Sequence, residues 1–172
     1  SLTSIMSTTG ARHLPQPSVR IRRELLRRPR EPVTTETLLE HYEHLFGVIG
    51  SPGYPTPPDE FRARIRRAVE RGYHPAGFLR QLGAILATGD RSALLGRITC
   101  PTLVIHGKAD PLVPYQGGVD TAYRIRDARL VLLDGFGHDF PAQLFERFAD
   151  MIAAHARAAP PMPPRRDVSA AA

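Results

Sequence analysis

Cysteine is almost absent, since Cys100 stands alone among 172 residues. One thiol closes no internal disulfide, which excludes a disulfide-stapled scaffold and agrees with a reducing compartment. No basic cluster surrounds Cys100 in sequence, so it is expected to be a small buried residue at the start of a strand rather than a nucleophile. Lysine is equally scarce: Lys108 is the only one among 23 basic residues, the rest being Arg. The net charge of +6 therefore reflects a coding bias towards Arg more simply than a nucleic-acid surface. Its densest runs, Arg20 to Arg30 and Arg62 to Arg71, are interrupted by apolar residues at helical spacing and have no interleaved aromatics for base stacking. No nucleic-acid partner is expected. No apolar run approaches the roughly 20 residues that span a bilayer, and no basic start followed by an apolar middle is visible. The expectation is a cytoplasmic protein without a membrane partner. His13, His41, His44, His74 and His155 show no ligand spacing with acids or cysteines, so neither a metal nor another cofactor is expected.

What is present fits one soluble globular unit with a real core, at 42% apolar and 23% charged residues. The stretch ITCPTLVIHGKADPLVP, Ile98 to Pro114, organises it. Thr102 to His106 is an apolar run too short for a helix, bounded by Pro101 and Gly107, and reads as a buried strand. Asp110 follows in a loop, and Pro111 and Pro114 stop the strand from continuing. A second strand, Leu130 to Leu133, runs into the turn Gly135, Phe136, Gly137, His138. Asp110 and His138 are 28 residues apart, room for a loop, a helix and a return strand. A right-handed crossover of that length makes the two strands parallel neighbours and brings both side chains to the carboxyl edge of the sheet, where α/β proteins bind ligands. Asp134 and Asp139 also lie near His138 but do not come from the neighbouring strand, and His106 reads as a core histidine with a backbone partner.

In chain order, Ser1 to Thr9 is a β-compatible start without a polar lead-in. Opening on a core strand leaves one edge uncovered, so the chain is expected to be truncated at its front and to self-associate through that exposed strand. Helices are expected over Val19 to Arg28 and Thr34 to Val48, then from an Asp59 N-cap to Gly72, and from Pro75 to Gly89. The last of these carries Phe78, Leu79, Leu82, Ile85 and Leu86, and Asp90 caps a short turn after it. A crossover helix over Gly117 to Arg126 turns Val119, Ala122 and Ile125 to the sheet, and Leu144, Phe145, Phe148, Met151 and Ile152 mark a final amphipathic helix. The Pro- and Ala-rich remainder, 158–172, is expected to be a disordered tail.

HGKADPLVP followed by DGFGHDFP resembles the carboxyl-terminal third of the α/β-hydrolase fold, and is closest in style to bacterial esterases of the aclacinomycin methylesterase group. The resemblance implies an α/β fold of about three parallel strands with flanking helices and a helical cap insertion. Residues 1–14 would be a core strand, 15–96 the cap, and 97–157 the core carrying acid and base. It also implies that Asp110 holds one tautomer of His138, the general base, and that the cap residues Leu45, Phe46, Tyr54, Phe78 and Leu82 wall a pocket for a small-molecule substrate. No serine lies in Gly-x-Ser-x-Gly. Ser51 comes nearest, with Ile49 where the first glycine belongs. The expectation is thus a carboxyl-terminal fragment, inactive alone, whose partner is the missing amino-terminal half with the nucleophile. A serine esterase is favoured by the resemblance. An Asp nucleophile, as in dehalogenases or epoxide hydrolases, and a non-catalytic interaction module stay open.

Overall fold

Three short apolar segments, far apart in the chain, build one parallel sheet in a computed structural model that describes residues 1–160. β1 (Leu2–Ile5) pairs with β2 (Thr102–Gly107) from Leu2 opposite Thr102 to Ile5 opposite Ile105, and β2 pairs with β3 (Arg129–Leu133) from Leu103 opposite Arg129 to Gly107 opposite Leu133. β2 is therefore central and buried throughout, which is why its run is continuously apolar rather than alternating. Side chains along it still alternate between faces. Leu103 and Ile105 join Leu133, Phe136, Leu144 and Phe148 in the main core, under α7 (Phe145–Ala158). His106 lies on the other face, against α6 (Gln116–Arg124). Burying each large apolar side chain of that core contributes about 1.5–3 kcal/mol.

The face of α6 towards the sheet keeps the expected Ile125 but not Val119, and Ala122 is half-buried. Gly117, Gly118 and Thr121 are buried, with Ile125 at the cap, whereas Val119 is 37% exposed. The helix approaches so closely that the glycines, not a branched side chain, meet Thr8 and His106. In α7 Phe148 is buried but Phe145 faces solvent, because a 3-10 turn at Ala142–Leu144 sets the helix phase and turns Leu144 inward instead. The helix runs to Ala158, so the expected tail starts later than 158 and otherwise lies outside the described residues.

Between β1 and β2 the chain makes five helices, α1 (Val19–Leu25), α2 (Thr35–Ile49), α3 (Pro58–Arg71), α4 (Pro75–Thr88) and the short α5 (Ser92–Leu95). Thr34 and Thr37 cap α2 reciprocally, and Gly47 lies inside the helix, which ends only at Gly50. α3 begins one residue before Asp59. Pro57 and Pro58 occupy its cap and first position, where a missing N–H costs nothing, and Asp59 falls in the first turn, favourable to the helix dipole. Leu39, Phe61 and Ile65 form a second, separate core with Tyr42, Phe46 and Val69. α4 has no buried residue, and Phe78, Leu79, Ile85 and Leu86 are exposed along it. Asp90 supports the start of α5 from just outside it, accepting the Ser92 N–H at 2.8 Å. Cys100 is exposed, contrary to expectation, because pairing with β1 starts two residues later, at Thr102.

Candidate functional site

The exits of β2 and β3 are joined before they diverge. Lys108 N–H donates to the Leu133 carbonyl at 2.9 Å and Ala109 N–H to the Phe136 carbonyl at 3.0 Å. The two chains run so close that a Cβ at Gly107 would overlap the Phe136 carbonyl. From this junction the first chain turns through Asp110, whose Oδ1 accepts the N–H groups of Leu112 at 2.9 Å and Val113 at 2.8 Å. Pro111 has no N–H to offer, so the turn is closed by the residues after it. The other oxygen, Oδ2, accepts from His138 Nδ1 at 2.8 Å. Behind it lies His106, fully buried, which donates through Nε2 to the Val113 carbonyl at 2.8 Å and stands 3.6 Å from Oδ2. Burial pushes the Asp110 carboxyl up, but His106, His138 and the Val113 N–H together outweigh it and hold the group below its ordinary range. The site therefore keeps a buried carboxylate ionised.

His138 leaves β3 through Gly135, whose φ of +67° is a left-handed conformation suited to glycine. Because a carboxylate only accepts, the hydrogen bond to Asp110 places the imidazole proton on Nδ1 and leaves a lone pair on Nε2 of the neutral ring. The side chain is 27% exposed, and Nε2 has no hydrogen-bond partner among the described residues. The ring is thus oriented by Asp110, with its second nitrogen open. Neither competing acid touches the ring: Asp134 pairs with Lys108 at 2.8 Å and is exposed, and Asp139 accepts from Ser51.

The helical segment is fastened to the same loop. His138 N–H donates to the Ile49 carbonyl at 2.7 Å, Gly53 N–H to the Gly135 carbonyl at 2.9 Å, and Gly137 N–H to Ser51 Oγ at 2.9 Å. The Ser51 hydroxyl donates in turn to Asp139 Oδ1. A Cβ at Gly137 would overlap the Gly50 carbonyl, and one at Gly53 would meet Gly135 Cα at 2.8 Å. Sequence reasoning misses Ser51 and Asp139 in this role. Their only signal is the concentration of glycines in Gly50 to Gly53 and Gly135 to Gly137, which marks two backbones that approach closely.

A cavity of about 610 Å³ opens beside the pair, flanked by Ala109 and Pro111 on either side of Asp110. Its other walls include Phe46, Tyr54 and Phe61, with Glu43, Ser51 and Asp139 as polar groups. Of the five expected wall residues, Phe46 and Tyr54 line it. Leu45 is half-buried elsewhere, and Phe78 and Leu82 stand on α4, away from the cavity. Among the described residues no group of three His, Cys, Asp or Glu side chains is arranged to hold a metal ion, and no helix is long and apolar enough to cross a membrane.

The family model described as TAP-like protein matches residues 88–144, the span that holds β2, Asp110, β3 and His138. Over 149 residues the chain is 34% identical to rhodomycin D methylesterase DnrP of Streptomyces peucetius and 33% identical to DauP, of the same name, of Streptomyces sp. strain C5. Each match covers 85% of this chain and 49% of the relative, so the chain spans about half the length of the curated relatives it matches. Among solved structures, the meta-cleavage product hydrolase CumD of Pseudomonas fluorescens IP01 superposes with a TM-score of 0.63 at 16% identity, over 90% of this chain and 54% of that one. The 2-hydroxy-6-oxo-6-phenylhexa-2,4-dienoate hydrolase BphD of Rhodococcus sp. strain RHA1 does so with 0.59 at 22% identity, over 91% and 54%. With a parallel sheet, an acid after β2 and a histidine after β3, the chain has the α/β-hydrolase fold.

Proposed function

We propose that this chain is the acid-and-base half of an esterase-like hydrolase. It acts on a carboxylic ester through a Ser-His-Asp triad whose serine lies in a segment outside these 172 residues. The single observation that carries the reading is the 2.8 Å contact between His138 Nδ1 and the buried Asp110 carboxylate. His138 Nε2 takes the serine proton as the hydroxyl attacks the ester carbonyl, Asp110 stabilises the imidazolium, and the same nitrogen then protonates the leaving alkoxide. Similarity to two proteins named methylesterases supports an ester as substrate. In this reading residues 15–96 act as a cap, and Phe46 and Tyr54 bound the pocket of a small-molecule substrate. A cytoplasmic location goes with it, supported by the lone unpaired thiol of Cys100.

The test is hydrolysis of a short-chain nitrophenyl ester by the chain alone and after assembly with the half that precedes it. Turnover should appear only in the assembled form and fall by on the order of 10⁴-fold or more in His138→Ala. An assembled complex without activity, or hydrolysis that survives the substitution, overturns the proposal.

A further inference from the structure

Asp110 fixes one nitrogen of the His138 ring, but the backbone that carries the ring must be fixed as well. Most of that task falls on the segment just after α2. One hydroxyl there, Ser51 Oγ, accepts from Gly137 N–H at 2.9 Å and donates to Asp139 Oδ1, so it touches both sequence neighbours of His138. Ser51 is buried, and among the described residues Asp139 has no Arg, Lys or His within ion-pair distance. The hydroxyl is thus the side-chain donor that this carboxylate has from the protein. It is not itself the attacking group of the triad, since its proton is committed to Asp139 and it makes no hydrogen bond to His138. The His138 N–H, bonded to the Ile49 carbonyl at 2.7 Å, completes a set in which three consecutive residues of the loop, Gly137 to Asp139, are each held by residues 49–51.

We propose that Ser51 and Asp139 form a clasp through which the helical segment positions His138, coupling the place of that segment to the orientation of the base. Both residues also line the cavity, so a molecule bound there contacts the clasp directly. Opening the clasp frees the loop, and the ring then loses the geometry that keeps its proton on Nδ1. Ser51 and Asp139 are positioning residues in this scheme: they act through His138. The inference rests on the reading of His138 as the base.

The tautomer of His138 reports on the clasp without any turnover, because the hydrogen bond at one ring nitrogen decides which nitrogen carries the proton. In the 172-residue chain, ¹⁵N shifts of the imidazole, assigned through His138→Gln, should show the proton held on Nδ1. Ser51→Ala, checked for fold by its unchanged β2 amide spectrum, is expected to mix in the Nε2–H form and to speed exchange of the Nδ1 proton by about tenfold. Asp139→Asn, at a half-buried position, carries the same expectation should Ser51→Ala fail to fold. A folded variant of either kind with the tautomer and exchange rate unchanged overturns the clasp while leaving the Asp110–His138 pairing intact. If the unsubstituted chain lacks the Nδ1–H form, or Asp110→Asn does not alter it, the pairing itself falls and the clasp with it.

Discussion

Gly118, in the first turn of α6, lies flat against the imidazole of His106 in β2. A Cβ built at position 118 meets His106 Cβ and Cγ at 3.0 Å and overlaps Nδ1. The ring cannot easily retreat, because it is fully buried and its Nε2 holds the Val113 carbonyl at 2.8 Å. Val113 in turn gives Asp110 one of its two backbone donors, so a helix glycine, a core histidine and the acid of the site form one mechanical series. Overpacking such a contact costs about 1–3 kcal/mol. Gly118→Ala is therefore expected to lower the melting temperature by roughly 2 to 12 °C, at about 2–4 °C per kcal/mol for a chain of this size. An unchanged melting temperature would show that α6 is free to shift.

The Asp110 carboxyl is held below its ordinary range in the fold, so its ionised form favours the folded state. That contribution is fully present above the ordinary carboxylate value, about pH 4, and is lost as the pH falls through the depressed folded value. Denaturant melts of the chain should thus weaken below about pH 4, and Asp110→Asn should remove part of that acid slope. At neutral pH the same variant should cost about 1–3 kcal/mol, since the amide cannot replace a buried ionised acceptor for His138. Parallel acid slopes in the two proteins would place the acid sensitivity elsewhere.

Much of this site can be read from local signals. An apolar run closed by Pro101 and Gly107, an acid just beyond it and a glycine-flanked histidine after the next run are each visible in a few residues. The crossover length between them dictates parallel pairing, and with it a shared edge. What stays hidden depends on distant partners. Ser51 and Asp139 are 88 residues apart, and neither carries a pattern that names the other. An apolar stripe likewise says that a helix has a face to bury but not that a partner is present, so Phe78 and Leu82 read as pocket wall while α4 has no buried residue. Val119 in α6 and Phe145 in α7 escape a reading of the stripe alone because a close approach at Gly118 and a 3-10 turn before Phe145 decide their place, and both are set by packing.

The helical core should fail without the sheet core, but not the reverse. Leu39 is fully buried with Phe61 and Ile65 among the helices, whereas Phe136 is fully buried beneath the sheet and stacks at a tilt on Phe148. Leu39→Ala should remove about 2–5 kcal/mol and Phe136→Ala about 3–5 kcal/mol. In amide hydrogen exchange, Leu39→Ala is expected to expose α2 and α3 first while β2 keeps its protection. Phe136→Ala should release both, because its carbonyl joins the strand exits and its neighbours Gly135 and Gly137 hold residues 51–53. Equal loss of protection everywhere in Leu39→Ala would mean that the helices and the sheet unfold as one cooperative unit.

β1 is an edge strand that bonds β2 on one side only. The N–H groups of Leu2 and Met6 donate to the carbonyls of Pro101 and Ile105, at 2.9 and 3.0 Å. Alternation along a parallel strand then turns the N–H groups of Thr3 and Ile5 to the open side, where no described residue pairs with them. Such a row is a template for another strand, and the chain is expected to self-associate through it as concentration rises. Thr3→Pro deletes one outward donor without touching a bond to β2, and it should shift the light-scattering mass towards the monomer while β2 amides keep their protection. A monomer at every concentration, or association indifferent to this substitution, would remove β1 as the contact.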